Sequence, residues 1–235
     1  MHDEVGTVGE RQDEPLPERT VRRLGELIAD GVHPPGSRLS HGELMVELGV
    51  SRATIRAALA TLAGLGVIEF IAGHGAFVVD VSEDDARQLC TLRAEIQPLL
   101  VGRFVQRAAP EELALAAQAI RRFAGLAQEG AGIEQLREAC EEVYEILLGS
   151  RVSWVLGKVV RTERLRLAIY TRRRLSAEDQ LARLRRGARS LELLVPSILG
   201  RDGCAARRLC ELSIAEDSAE MLRASARHAL TSSAA

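Results

Sequence analysis

Apolar positions recur at helical spacing over nearly the whole chain, with one short interruption. Val21, Leu24, Leu27 and Ile28 form a stripe that predicts a helix over 17–28, with Pro17 suited to its first position. The prolines and glycines of 31–38 predict a loop. Ser40 with Glu43 reads as a capping box, and Leu44 and Leu48, one turn apart, predict a short second helix over 40–48. Gly49 suits a helix end or tight turn. Ser51 can cap a third helix running to about Leu65, with Ile55, Ala58, Leu59 and Leu62 on its buried face. The period then changes. Stretches 67–71 and 76–79 are β-branched and aromatic, and a Gly-His-Gly turn, Gly73 to Gly75, joins them as a hairpin. Three helices followed by a two-stranded wing make a winged helix-turn-helix.

From Ser82 onward the pattern is helical again. Segments 82–108, 110–128, 132–149, 152–173, 176–199 and 202–228 each predict one helix, and Pro196 should kink the fifth near its end. Short connections imply antiparallel neighbours in a bundle. The expected fold class is therefore mainly α: an N-terminal winged helix-turn-helix domain plus a C-terminal antiparallel six-helix bundle. The expected organisation is a polar, disordered tail over 1–15, the reading domain over 16–80, the bundle over 81–229 and a C-terminal tail over 230–235.

Composition narrows this picture. The 235 residues have room for two domains. With 46% hydrophobic but only 3% aromatic residues, the core must be Leu, Val, Ile and Ala, which favours helices. No apolar run reaches bilayer length and the first residues hold no hydrophobic stretch of the signal-peptide kind, so a soluble, cytoplasmic protein with no membrane partner is expected. Cys90, Cys140, Cys204 and Cys210 show no CxxC spacing and read as reduced, structural thiols. A net charge of −2 does not announce nucleic-acid binding, but a DNA reader needs a basic face rather than a basic total.

The third helix supplies that face. Arg52 and Arg56 lie one turn apart near its N-terminus, where the helix dipole disfavours cations. Helical register puts both off the buried stripe, so both can reach one external object. In a helix-turn-helix the N-terminal residues of the second helix enter the major groove. There an arginine can give two hydrogen bonds to guanine or pair with a phosphate. Two exposed arginines on a helix also fit an ordinary solvated face. The order helix, helix, tight turn, capped helix, glycine-turn wing is what favours DNA.

The stretch 27–79 resembles the DNA-binding domain of GntR-type bacterial transcription regulators. The resemblance runs through Pro35-Gly36, Leu39, Leu48-Gly49-Val50-Ser51-Arg52, Arg56, Ala58-Leu59, Gly66-Val67 and Gly75-Ala76-Phe77-Val78. It implies DNA contacts at Arg38, Ser51, Arg52, Ala53, Thr54 and Arg56, and a wing tip, Gly73, His74 and Gly75, that approaches the minor groove. His74 fits a solvated turn residue equally well. The chain departs from the family pattern at His41, Gly42 and Ala57, where an acid, a base and a glutamate are usual. The bundle, with LRAEIQPLL over 92–100, is similar to the FCD effector domain of the FadR subfamily.

That second resemblance implies a divalent-metal site made by an aspartate and three histidines. Their positions fall at Glu141, Glu145, Leu191 and near Ser213, and 82–227 contains no histidine. No metal and no cofactor are therefore expected. A two-carboxylate site at Glu141 and Glu145 stands beside the reading of an ion-paired glutamate pair. Cys204 and Cys210 fall on opposed faces of one helix. Arg93 matches a pocket-lining position of the family, so the expected effector-binding set is Arg93, Glu141, Tyr144 and Glu145. Arg161, Arg164, Arg166 and Tyr170 are further candidates. An arginine facing the bundle interior would suit a carboxylate or phosphate.

These features predict a non-enzymatic, homodimeric transcription regulator, usually a repressor in the resembled family. It would bind a palindromic operator in double-stranded DNA and be released by a small-molecule effector such as a carboxylate or acyl-CoA. An architectural or constitutive DNA binder with a vestigial effector domain is the alternative. An enzyme with a DNA-binding appendage stands further back: Lys158 is the only lysine, and no glycine-rich phosphate loop or Ser-His-Asp or Cys-His constellation is visible.

Overall fold

The computed structural model describes residues 15–148 and 154–232. The chain divides into two compact units, 1–79 and 80–235. The expected N-terminal tail, Pro15 apart, falls outside the described residues. So do the end of the bundle's third predicted helix and the start of its fourth.

In the first unit α1 is Leu16–Ala29, α2 His41–Leu48 and α3 Arg52–Gly64. Leu24, Ile28, Leu44, Ile55, Leu59 and Leu62 are buried and form the core between them. The sheet has three strands rather than two. Strand β1 is Arg38–Leu39, β2 is Ile68–Ile71 and β3 is Gly75–Val78, in the order β1-β3-β2 with antiparallel pairs. Arg38 was expected in a loop, but it pairs with Phe77, and Leu39 pairs with Ala76. A two-residue strand has no readable period; only the partner strand creates it.

The Ser40–Glu43 capping box does not form. Ser40 occupies the cap position and its carbonyl accepts from the Leu44 amide at 3.0 Å, but its side chain makes no capping bond. The paired strand β1 sets how the chain enters α2, so tertiary pairing fixes this helix start. Ser51 behaves as expected: its Oγ accepts from the Thr54 amide at 3.2 Å.

The second unit is helical: α4 (Glu83–Arg107), α5 (Pro110–Gln128), α6 (Ile133–Leu148), α7 (Trp154–Arg174), α8 (Ala177–Glu192), α9 (Val195–Leu199) and α10 (Gly203–Ser232). Ser82 and Asp85 close a complete capping box on α4. The fifth predicted helix is broken rather than kinked, so among the described residues the six expected helices appear as seven. Pro196 has no N–H to give the Glu192 carbonyl and its ring crowds that group, and α8 stops at Glu192. The last helix runs on to Ser232, through residues expected in a tail, because no glycine or proline follows His228.

Leu100, Phe104, Ile120, Phe123, Leu136, Val143, Ile198 and Ile214 lie in one continuous buried cluster. Helices α4 and α10 pack with backbones in contact. A Cβ on Gly203 would lie 2.6 Å from the Gly102 carbonyl oxygen. This close antiparallel crossing brings the N-terminal half of α4 opposite the middle of α10, and so sets Arg93 facing Asp217.

Candidate nucleic-acid interface and bundle interior

The tight turn between α2 and α3 depends on Gly49, whose φ of +64° is left-handed and disfavours a side chain. It lets α3 start at once, with Ser51 capping. Ile55, Ala58, Leu59 and Leu62 turn inward, while Ser51, Arg52, Ala53, Arg56 and Ala57 are exposed. Thr54 is half-buried, and its hydroxyl is 2.8 Å from that of Ser51. Among the described residues neither Arg52 nor Arg56 has an acidic partner, so both guanidiniums are available to an external anion.

The wing adds to this face. Gly73 (φ +75°) and Gly75 (φ +101°) both take left-handed backbone, which explains why the turn is Gly-His-Gly. Exposed His74 donates from Nδ1 to the Ala72 carbonyl at 3.0 Å, which leaves Nε2 for an outside partner. Exposed Arg38 crosses the base of the wing. A Cβ on Gly75 would lie 3.6 Å from its Nε, an ordinary contact, so the left-handed backbone rather than crowding calls for glycine there. The sequence-predicted residues of this unit thus fall on α3, on β1 beside the wing, and at the wing tip.

The effector candidates do not come together as one pocket. Tyr144 and Glu145 line a narrow, nearly filled cleft with Leu148, Gly157, Val160, Arg161 and Arg164. The arginines of α7 take up the carboxylates of α6. Arg164 pairs with Glu141 and lies 3.8 Å above the Tyr144 ring, and Arg161 pairs with Glu145 at 3.4 Å. Glu141 and Glu145 are therefore the ion-paired glutamates of the plainer expectation. Among the described residues no three His, Cys, Asp or Glu side chains gather to hold a metal ion. Leu191 is buried core at a position where the resembled domain would need a histidine.

Arg93 is separate, inside the bundle. Its Nη1 donates to Asp217 Oδ2 at 2.6 Å, and Arg183 holds the same carboxylate from Nε and Nη2 at 2.7 and 2.8 Å. Burial pushes the Asp217 carboxyl up, but the guanidiniums of Arg183 and Arg93 outweigh it and hold the group well below the usual carboxylate range. Beside this triad, Gln97 Nε2 donates to Glu163 Oε2 at 2.9 Å. Glu163 is only 2% exposed and its Oε1 has no partner. Burial pushes its carboxyl up, against partial offsets from Arg93, Arg164 and Gln97.

Asp217, Arg183, Gln97 and Glu163 were absent from the sequence-based candidates, yet the signal was present. Glu163 sits between buried Val160 and Leu167, and Asp217 between Ile214 and Met221, each at three- and four-residue spacing. An acid on an apolar stripe marks a buried charge that needs a partner. The other outlying candidates are structural. Tyr170 is buried and donates to Ser225 Oγ at 2.7 Å, and Arg166 lies 3.9 Å from the capping carboxylate of Asp85. All four thiols are free, with Cys210 pushed up to about 12 by burial. Cys204 is exposed, so it is not a core residue.

The first unit defines the class: a winged helix-turn-helix DNA-binding domain. Residues 16–78 match the family described as "Bacterial regulatory proteins, gntR family". Over 162 residues the chain is 30% identical to an uncharacterized HTH-type transcriptional regulator of Mycobacterium tuberculosis, Rv0494, covering 61% of this chain and 65% of that one. Over 105 residues it is 27% identical to the uncharacterized regulator YdhC of Bacillus subtilis, covering 44% and 47%. The chain thus spans between about half and two thirds of the length of these relatives.

Two solved structures share the fold. E. coli McbR/YncC aligns with a TM-score of 0.75 at 18% identity, over 89% of this chain and 98% of that one. A putative transcriptional regulator GntR from Rhodococcus sp. RHA1 aligns with a TM-score of 0.63 at 20% identity, over 88% and 98%. No described helix is long and apolar enough to cross a membrane.

Proposed function

We propose that the chain is a cytoplasmic transcriptional regulator that binds a palindromic operator as a homodimer, and that its helical unit is an FCD-type domain receiving a small-molecule effector. One observation carries the DNA reading: the two arginines of the first turns of α3 are exposed and without acidic partners, on a helix whose opposite face is fully buried. Arg52, Arg56 and Ala53 would meet base edges. Ser51, Thr54 and Arg38 would meet phosphates, and Gly73 to Gly75 the minor groove. A two-fold dimer then requires an inverted repeat in the DNA.

For the effector, Arg93 already has its carboxylate in Asp217. An acid or acyl-CoA phosphate would instead address Arg161 and Arg164 at the cleft beside Tyr144. There the Arg161–Glu145 pair is half-exposed and opens at little cost. Repression relieved by such a ligand is the expected sign. No catalytic step is assigned to any residue.

The test is selection of fragmented genomic DNA on the purified full chain, with mass by light scattering on the same sample. Enrichment of one inverted repeat by a dimer is expected. A monomer, or retention of DNA without a common sequence, would refute the reading.

A further inference from the structure

The bundle uses only one of two patterned faces of α10. Ala206, Cys210, Ile214 and Met221 turn into the core. On the opposite side Ala205, Arg208, Leu212, Ala215, Ala219 and Leu222 follow one another at spacings of three, four, three, four and three residues. That alternation is the seam of a coiled coil, the line along which one helix receives another. Leu212, at its middle, is 69% exposed; Arg208, Ala215 and Ala219 are exposed, and Ala205 and Leu222 are half-buried. Exposed Glu216 flanks the seam. Among the described residues Arg208 has no acidic partner and Glu216 no basic one.

We propose that this face of α10 is an interface between two copies of the chain, with the two α10 helices antiparallel across a two-fold axis that passes between Leu212 and Ala215. Size and charge set the pairing. The axis places each large side chain on a small one: Leu212 on the partner's Ala215, Leu222 on the partner's Ala205, and the stem of Arg208 on the partner's Ala219, each contact made twice. The partner's Glu216 lies one turn from that alanine, roughly 4.5 Å along the axis, a distance an arginine side chain spans. The two unpaired charges of one copy thus meet the opposite charges of the other. A parallel pair would set leucine on leucine, alanine on alanine and Arg208 on Arg208, with gaps and facing cations. A face that supplies both the large and the small residues, and both the cation and the anion, is its own complement, and a foreign partner would not require that. This names the contact surface of the homodimer proposed above and rests on that reading.

Light scattering over a dilution series of the full chain gives the dimer dissociation constant. Leu212→Glu should weaken the dimer at least about tenfold, since it sets an unpaired charge in the seam. The helical circular dichroism should not change, because that side chain is outside the core. Arg208→Glu should weaken the dimer likewise, and adding Glu216→Arg should restore it. In a Cys204→Ser background, Ala215→Cys lies close enough to the axis for oxidation by diamide to link it to its own copy, whereas Ala226→Cys lies far from its copy and should stay unlinked. In a parallel pair both would link. A wild-type dimer that survives Leu212→Glu, a charge swap that restores nothing, an unlinked Ala215→Cys, or linking at Ala226→Cys overturns this proposal and leaves the homodimer reading standing. A wild-type monomer overturns both.

Discussion

Replacing Asp217 by Asn removes one negative charge from between two buried guanidiniums. Arg93 keeps only 8% of its side chain exposed and Asp217 17%, so water cannot take over the lost role. Arg93 Nη1 and Arg183 Nε lie 2.6 and 2.7 Å from the carboxylate. At a charge separation of about 4 Å and an effective dielectric constant of about 20, each attraction is worth roughly 4 kcal/mol before desolvation. The asparagine can accept from one arginine but neutralises neither, so the two cations are left facing each other. Breaking a buried pair this way costs about 3–5 kcal/mol, a large share of a typical stability of about 5–15 kcal/mol. The assay is urea unfolding of the full chain followed by far-ultraviolet circular dichroism, which reports mainly the helical unit. The midpoint should fall steeply for Asp217→Asn. A triple variant, Arg93→Met with Arg183→Met and Asp217→Leu, should recover most of the loss, since a well-packed apolar replacement needs no compensation. A loss below about 1 kcal/mol for Asp217→Asn would refute the reasoning, because it would mean that the arginines do not rely on this carboxylate.

The pH dependence of the neighbouring acid runs the opposite way. The folded pKa of Glu163 is raised, so its protonated form is the one the fold favours. Its destabilising charge should be relieved as pH falls through that raised pKa toward the ordinary glutamate value. Wild type should gain urea stability over this window relative to Glu163→Gln, and parallel curves would contradict this. Asp217 behaves conversely. Its depressed folded pKa contributes stability above the ordinary aspartate value, which should be lost only as pH falls below about 4 toward the folded pKa, seen as a sharp acid transition in the helical signal. Gly203→Ala forces a Cβ to within 2.6 Å of the Gly102 carbonyl oxygen, so α4 and α10 must separate. A cost of about 1–3 kcal/mol in the same unfolding assay is expected, and an unchanged midpoint would show that this crossing is not tight.

The reading domain was legible in the sequence because its signals are local. Ser51 caps, Gly49 turns, and Ile55, Leu59 and Leu62 repeat at helical spacing, so the exposure of Arg52 and Arg56 follows from arithmetic. Strand β1 escaped because two residues carry no period and Arg38 becomes strand only by pairing with Phe77. The break after Glu192 was half-legible: Pro196 marks the place, but how far the helix bends there depends on packing. The interior of the bundle was the least legible part. Arg93 was noticed for its position, but its partner Asp217 lies 124 residues away, and nothing local connects them. What joins them is the Gly102–Gly203 crossing, a tertiary feature.

The central claim is that α3 and the wing read DNA. Its most direct test is anisotropy titration of a labelled operator duplex, recovered by the genomic selection, with wild type and the Arg52→Ala, Arg56→Ala and Arg38→Ala variants at several salt concentrations. If Arg52 and Arg56 read bases, each loss should cost about 1–3 kcal/mol on the operator and little on unrelated duplex. Loss of Arg38, a phosphate contact, should weaken both duplexes alike and lower the salt slope by about one. Operator affinity unchanged in both Arg52→Ala and Arg56→Ala would contradict the account.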